Sequence, residues 1–548
     1  MPRNHRTRKI VAAAGGLAAV LALGASTAFS SPGSLHLTDV PTANPRATGV
    51  VAPDKLSPEL REVAVAQGAI TLENPTSAVP FYGYDGDQPT LVPLPSAPTV
   101  EAHKTEPDKN TYLVLPHGLG GADPSYSYGT HFLFQGHESG VPGYITRINL
   151  DADAAHKVTL LATQDALGAN LPDFDGSAWD PFAQKLLLTS EGSLGGGVWQ
   201  SDLGVPATVQ GLTGIIGQGG YEGIEPDDRG NLFIVEDVGG KAGPTTPNAK
   251  QPNSFIYRFL PKNVADLTQG GTLQALQVVD GDHPVTFHAG QNDADILGQD
   301  MADLHTYGKS FRTAWITLHD TSVDGTTPFV AGDLAKSKGA TPFKRPENGV
   351  FRPDGHFSEF VFTETGDTNA NTEAGAGHGG FGALFKLDLD RRGDGGSLSM
   401  LFRGDLTHTG LDNVTFVSRD QLAAVEDGGD LLHGQRNALD SAYLFDVNGD
   451  YSHGQQPIRF LAQGRDASAT IDAACGSACG NDGDNEITGI HVSDGDPTVG
   501  GLFASRAPEL FSGPWRFFYT RQHGDNVTFE ILPNRSAQAD DASGDQQG

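Results

Sequence analysis

Short apolar segments with alternating polarity recur along the chain from residue 112 onward. They place an apolar or aromatic residue at every second position before a polar turn: GYITRINLD (143–151), SFIYRFLPK (254–262), GALFKLDLD (382–390) and SAYLFDVNG (441–449). A period of two is typical of strands that are half buried between packed sheets. Glycine and proline are frequent, and we find no long amphipathic helical pattern after the N-terminal leader. The sequence therefore predicts an all-β fold.

A second set of strand-like segments ends in acidic residues. These endings are LLLTSE at Glu191, LFIVED at Glu236 and Asp237, FVFTE at Glu364, and LAAVED at Glu426 and Asp427. A turn-like stretch precedes each of them, so each unit reads as an outgoing strand, a hairpin and a returning strand. The two segment types alternate at intervals of roughly 45 to 60 residues, which is typical of four-stranded propeller blades with insertions. We predict a six-bladed β-propeller over residues 106–535, with long loops at 238–253 and 365–382.

The acidic strand ends predict a metal site. If all returning strands run in the same direction, their last residues surround one mouth of the propeller, and rings of carboxylates bind hard cations. Glutamate is depleted from strands and tight turns, so Glu191, Glu236 and Glu426 are interpreted as metal ligands. Asp237 and Asp427, which follow two of them directly, are also predicted to be metal ligands. The aspartates of the turns, such as Asp180, Asp228 and Asp354, are instead interpreted as turn formers that bond their own backbone.

Both ends of the chain differ from its middle. Residues 1–30 carry four basic residues before the apolar run Ile10 to Leu23 and small residues at 28–30, which is the pattern of a secretion signal. We expect a secreted protein, extracellular or associated with the cell wall. The apolar run is short for a bilayer span and contains glycines, so no membrane partner is expected. Residues 31–105 are interpreted as a Pro- and Ala-rich linker or wrapping arm, and 536–548 as a disordered tail.

Charge and cysteine content narrow the function classes. The formal net charge is -31, and removal of the four positive charges of the leader moves it to -35. The negative charge of such a chain would repel the phosphates of a nucleic acid, so no nucleic acid is expected as a partner. The only two cysteines are Cys475 and Cys479. In a secreted protein they predict a small disulfide, with two free thiols or a pair of metal ligands as the alternatives.

Five motifs in order resemble the secreted alkaline phosphatases known as PhoX. They are YEGIEPDDRGNLFIVED (221–237), FKRPENGVF (343–351), LDNVTFVSRDQLAAVEDG (411–428), NEITGIHVSDGD (485–496) and RQHGDN (521–526). The resemblance spans about 170 to 526. It implies a six-bladed propeller that holds two iron(III) ions and calcium ions in its central mouth and removes phosphate from monoesters.

The resemblance also implies roles for particular residues. Glu222 and Glu347 correspond to metal-binding acids, and Arg345 corresponds to an arginine that holds a phosphate oxygen. A planar guanidinium suits that task because it offers paired donors to two oxygens. Glu191 lies in LLLTSEG, which resembles the family's WLTCEE. Glu486 and Gln522-His523-Gly524 resemble its last blade, and Glu486 is also expected to be a metal ligand. We therefore expect small phosphate-ester substrates and a monomer, with Arg345 as the catalytic residue.

This chain departs from the family at the iron site. The family uses a cysteine thiolate in an early blade, whereas no cysteine precedes residue 475 here, and Asp173, Asp175 or Ser190 stands in that stretch. Oxygen ligands favour calcium, magnesium or manganese over the iron(III) of the family. Two alternatives stay open: a calcium-dependent propeller hydrolase of another class, lactonase or phytase-like, and a non-catalytic binding propeller stabilised by calcium. A serine hydrolase is disfavoured because no G-x-S-x-G motif occurs.

Overall fold

The computed structural model describes most of the chain after residue 32. The described residues are 33–46, 52–68, 70–83, 105–138, 142–192, 195–353, 355–390, 393–465, 486–522, 524 and 526–535. The expected secretion signal, the tail and both cysteines lie outside them, as do Asp354 and His523. Within the described ranges, no helix combines the length and the apolar character needed to cross a bilayer.

Twenty-seven strands and five short helices make up the described fold. The strands from the N-terminus to the middle of the chain are β1 (Lys55–Leu56), β2 (Leu60–Ala66), β3 (Pro107–Val114), β4 (His131–His137), β5 (Ile145–Asn149), β6 (Val158–Ala162), β7 (Ser177–Asp180), β8 (Lys185–Ser190), β9 (Gly197–Ser201), β10 (Val209–Gly211), β11 (Tyr221–Pro226), β12 (Leu232–Glu236), β13 (Ile256–Pro261) and β14 (Gly271–Asp280). The remaining strands are β15 (His283–Pro284), β16 (Ser310–Asp320), β17 (Gly349–Phe351), β18 (Glu359–Glu364), β19 (Ala383–Leu389), β20 (Gly395–Arg403), β21 (Leu411–Phe416), β22 (Gln421–Glu426), β23 (Ser441–Asp446), β24 (Ile458–Ala462), β25 (Glu486–Ser493), β26 (Arg516–Gln522) and β27 (Val527–Pro533). The helices are α1 (Asn292–Leu297), α2 (Gln299–Leu304), α3 (Thr321–Asp324), α4 (Ala331–Lys338) and α5 (Gly429–Arg436).

The strands form five antiparallel sheets in a propeller-like arrangement. Four sheets are small: β3 to β6, β7 to β10, β21 to β24 with β1 at the edge, and β25 to β27 with β2. The fifth has ten strands, because the meanders β11–β14 and β17–β20 are joined through β16. The prediction of an all-β propeller-like fold is confirmed. The prediction of six separate blades is wrong, since β16 pairs with both β14 and β20 and merges two units into one sheet.

The first strands of the units surround a common centre. Strand β3 contacts β7, β7 contacts β11, and β11 contacts β17. The series continues from β17 to β21, to β25 and back to β3. These six innermost strands therefore form a closed ring around the centre of the molecule.

The N-terminal strands belong to the sheets at the end of the chain. Strand β2 pairs antiparallel with β27, and β1 pairs with β24. The segment 55–66, placed in the linker or arm by the sequence, thus links the last two sheets. Its apolar residue Leu60 packs in the core between them with Phe460 and Ile531.

Hairpin turns and packed aromatic residues explain why the units form. The Asp180 carboxylate accepts hydrogen bonds from the backbone N–H groups of Phe182 and Ala183, as predicted for a turn former. In the hairpin between β11 and β12, Asp227 rather than the predicted Asp228 is the turn former, because its carboxylate accepts hydrogen bonds from the N–H groups of Arg229 and Asn231. Between neighbouring sheets the buried residues include Phe134 and Leu188, and each such side chain contributes roughly 1.5 to 3 kcal/mol by leaving water.

Candidate metal centre

An acidic residue stands at the start of each innermost strand. Asp108, Glu222, Asp412 and Glu486 are the first or second residues of β3, β11, β21 and β25. Asp175 and Glu347 precede β7 and β17 by two residues. Glu222 approaches Glu347 and Asp175, and Asp175 approaches Asp108, so these acids lie together at one end of the ring.

Irregular pairing turns several of these side chains toward the centre. In β11, Tyr221 pairs with Glu236 and Ile224 with Ile234, so two residues, including Glu222, lie opposite one. The same bulge occurs at Asp412 in β21 and at Asp108 in β3. A β-bulge redirects side chains and bends the strand. It lets a polar residue leave the apolar interface between sheets and face the ring centre.

Four acids meet in what we call the Glu347 cluster: Glu191, Glu222, Asp237 and Glu347. One carboxylate oxygen of each lies within 4.8 Å of the others. Glu222 and Glu347 are each 4% exposed. Glu191 and Asp237 come from the ends of the returning strands β8 and β12, so the cluster combines residues from both strand types.

The acids of the Glu347 cluster perturb one another strongly. Burial, and then the Asp237 charge, raises the pKa of Glu347 from 4.5 to about 7. Burial, and then Asp175 and Glu347, raises the pKa of Glu222 well above its ordinary value. For Glu191 burial is again the largest cause, followed by Asp237. Four carboxylates this close cannot all be ionised at neutral pH unless cations neutralise them.

Arg345 lies at the edge of the Glu347 cluster. Its Nε donates to Asp237 Oδ2 at 2.9 Å, and its Nη2 lies 2.7 Å from the same oxygen and 3.3 Å from Glu347 Oε1. Its backbone has φ +57°, a left-handed conformation that is uncommon outside glycine. Such backbone strain is concentrated at functional sites. Within the described ranges, the hydrogen bonds and ion pairs of Arg345 use its Nε and Nη2 atoms, and the side chain is 17% exposed.

A second group, the Asp175 cluster, consists of Asp108, Glu138 and Asp175. One oxygen of each lies within 4.8 Å of the others. Burial, and then the Asp108 charge, raises the pKa of Asp175 well above its ordinary value, and Glu191 and Asp412 act in the same direction. The two clusters therefore lie side by side. Gln522 connects Glu486 to this group, because its amide donates to Glu138 Oε2 at 2.9 Å and to Glu486 Oε1 at 3.2 Å.

The side chains of Asn348 and Lys109 make polar contacts with acids of the innermost strands. Asn348 is fully buried, and its Nδ2 lies 3.4 Å from Glu222 Oε1 and 3.5 Å from Asp412 Oδ1. Its Oδ1 lies 3.4 Å from Lys109 Nζ, which also approaches Glu225 at 3.4 Å. Since a lysine can only donate, it fixes which end of the amide faces the acids.

The other predicted ligands lie outside the two clusters. Glu236 is turned into the core, where its Oε2 accepts hydrogen bonds from Tyr257 Oη at 2.7 Å and from the Phe255 N–H at 3.1 Å. Glu426 forms a two-pronged ion pair with Arg436, with N to O distances of 3.0 and 3.1 Å. Asp427 is partly buried and belongs to neither cluster. Its negative charge is one of those that raise the pKa of Arg345.

The donor set of the clusters fits hard cations. Every potential ligand is a carboxylate oxygen, which Ca²⁺, Mg²⁺ and Mn²⁺ prefer. Within the described residues, Glu222 Oε2 and Asp175 Oδ1 are buried without a hydrogen-bond partner. Buried polar atoms are ordinarily paired, so these two oxygens point to a ligand. A thiolate-bound iron does not fit, because neither cluster contains sulfur.

Sequence reasoning missed Asp108, Glu138, Asp412 and Asn348. It followed the ends of the returning strands but overlooked Glu138, which directly follows β4. Asp108 and Asp412 instead lie at the start of outgoing strands. The signal was an acid that precedes a short apolar run and a turn aspartate, as in FDGSAWD, YEGIEPD and LDNVTFVSRD.

Comparisons with known proteins support the fold. No protein-family model and no curated protein matches the chain. Among solved structures, PhoX from Pseudomonas fluorescens in complex with vanadate, a transition state analogue, matches 91% of this chain and 98% of its own, with a TM-score of 0.52 and 11% identity. A structure of a eukaryotic initiation factor matches with a TM-score of only 0.21 and 10% identity, over 67% of this chain and 91% of its own. At these identities only a fold can be compared, and the described chain has a PhoX-like fold.

Proposed function

We propose that this chain is a secreted, metal-dependent phosphatase that hydrolyses phosphomonoesters at the Glu347 cluster. The observation that carries the proposal is the junction of four clustered carboxylates with a guanidinium in a PhoX-like fold. Arg345 reaches this cluster through Asp237 and Glu347. Clustered carboxylates alone suit many cation sites, whereas an adjoining arginine suits an oxyanion.

Bound cations would supply two kinds of chemistry: they neutralise the phosphoryl oxygens and they make water acidic enough to act as a nucleophile near neutral pH. Glu191, Glu222, Asp237 and Glu347 would hold the cations of this cluster. Asp108, Glu138 and Asp175 would hold a further one. We propose calcium as the resident ion, on the grounds of the all-oxygen donor set.

The chain's own residues position the substrate. Asp237 holds Arg345 by its Nε and Nη2 atoms, which fixes the plane of the guanidinium. The Nη1 atom is then available to donate to a phosphoryl oxygen as negative charge develops there. Asn348 lies within hydrogen-bond distance of Glu222 and Asp412, which would help to hold Glu222 in position before an ion binds.

Metal analysis and an activity assay on the same sample test the proposal. The purified mature protein is expected to contain stoichiometric calcium and to hydrolyse p-nitrophenyl phosphate, and chelation is expected to abolish the activity until calcium is restored. Calcium without turnover of this ester would refute the phosphatase. Turnover of phytate or a lactone in its place would establish a propeller hydrolase of another class.

A further inference from the structure

Lys250 lies in the loop 238–253 beside Arg345. Its backbone is fixed by an antiparallel bridge to Ala242 and by a hydrogen bond from its N–H to Asp367 Oδ1 at 2.9 Å. A Cβ atom built on Gly239 would lie 3.9 Å from Lys250 Nζ. The ammonium therefore lies next to the segment that follows Asp237, which is a member of the Glu347 cluster.

The acids near Lys250 are already paired with other cations. Asp237 is held by Arg345, at 2.7 Å. Asp367 is held by Lys344, at 2.8 Å, and both of those side chains are almost completely buried. Within the described ranges, no carboxylate lies within the 4.0 Å ion-pair distance of Lys250 Nζ. Lys250 thus contributes a positive charge that no neighbouring carboxylate neutralises directly.

The same lysine lines a cavity between the loop 238–253 and the segment that follows Asp427. The cavity has a volume of about 370 Å³, and its walls include Asn248, Asn369, Asp367 and Gly428. Gly428 directly follows Asp427, whose negative charge is one of those that raise the pKa of Arg345. Burial and then the Arg345 charge lower the pKa of Lys250, whereas Asp237, Asp367 and Glu347 raise it. These influences agree with a location between the cavity and the cluster.

We propose that Lys250 is a second anion-binding residue, which contacts the phosphoryl group of the substrate opposite Arg345 while the alcohol part of the ester occupies the cavity. This inference rests on the proposed function. A phosphomonoester dianion has three non-bridging oxygens. Two cationic side chains that approach it from different directions would therefore hold it better than one arginine could. The flexible stem of lysine can follow an oxygen as the ester bond lengthens, whereas Arg345 is held in place by Asp237.

The test compares Lys250→Met with Lys241→Met. Both variants remove one positive charge from the same loop, but Lys241 is exposed. Methionine keeps the backbone bond to Asp367, so folding and metal content should be unchanged in both. We expect Lys250→Met to raise the inhibition constant of inorganic phosphate and to lower kcat/KM for p-nitrophenyl phosphate by about ten- to a hundredfold, the size of one charge-assisted hydrogen bond. Lys250→Arg should restore part of both, and Lys241→Met should change neither more than about twofold.

Each outcome separates the inference from the proposed function. An active wild-type protein with an unchanged Lys250→Met variant overturns the role of Lys250 only. The same role is overturned if Lys241→Met loses as much as Lys250→Met, because the effect would then be one of net charge. If the calcium-loaded wild type hydrolyses no ester, calorimetric binding of inorganic phosphate still decides: weaker binding by Lys250→Met supports the anion site, and no binding by the wild type refutes it.

Discussion

Replacing Glu347 by glutamine should stabilise the metal-free protein while weakening its response to calcium. Burial and Asp237 raise the pKa of Glu347 to about 7 in the folded chain, from 4.5 in the unfolded one. Between these values the folded state binds the proton and the unfolded state does not. Stability therefore falls as pH rises through this window, and the loss is complete above pH 7.

The size of the effect follows from the pKa difference. One pKa unit corresponds to about 1.4 kcal/mol, so ionising Glu347 in the fold costs on the order of 3 kcal/mol at pH 8 and less than about 1 kcal/mol at pH 5. Glutamine has nearly the same shape and never ionises. Metal-free Glu347→Gln should therefore be more stable than metal-free wild type by that amount at pH 8 and nearly equal to it at pH 5.

Denaturation after chelation, at both pH values and with or without added calcium, checks this prediction. Calcium should stabilise the wild type at pH 8 and should stabilise Glu347→Gln much less, because one ligand charge is missing. Glu236→Gln is the matched control. Burial raises the pKa of Glu236 to about 8, so the variant should also gain metal-free stability at high pH, but it should keep the full calcium response. The reasoning fails if Glu347→Gln gains nothing at pH 8 or responds to calcium like the wild type.

Three further predictions concern the rest of the centre. Arg345→Ala should lower kcat/KM about a hundredfold or more while bound calcium, measured by mass spectrometry, is unchanged; loss of calcium would contradict its assignment to the substrate. Asp175→Asn should lower the calcium stoichiometry by one ion per chain, and an unchanged stoichiometry would show that the Asp175 cluster binds none. Glu426→Ala should cost about 3 to 5 kcal/mol in the free energy of unfolding, because Arg436 loses its two-pronged partner in the interior. Its calcium content should stay at the wild-type level, and a decrease would instead make Glu426 a ligand.

The sequence predicted the kind of fold better than its connections. Alternation of apolar and polar residues identifies strands such as β5 and β13, because burial between sheets imposes a period of two on each strand. The merging of two units was not predictable in this way. It depends on β16, a long strand whose backbone pairs on both sides, and backbone pairing leaves little trace in the pattern of side chains.

The candidate centre was predictable only in part for a related reason. Glu191 and Asp237 are at strand ends, where an acid is unexpected and so attracts attention. The positions of Glu222 and Asp412 depend on bulges, in which two residues of one strand lie opposite one residue of the next strand, so that the direction of the side chains changes. Glu236 shows the converse, because its position next to Asp237 in the chain sends its side chain to the opposite face, toward Tyr257.

The pairing of β2 with β27 makes the order of synthesis matter. Residues Leu60–Ala66 leave the ribosome among the first of the fold, but their partner strand, Val527–Pro533, leaves among the last. Until then β2 has an unsatisfied edge, and the ring of sheets is an open arc. Pairing across such a separation is slow, because the entropy of closing the loop must be lost before the contacts form. Removal of either β2 or β27 would therefore leave an unpaired strand edge in the same sheet.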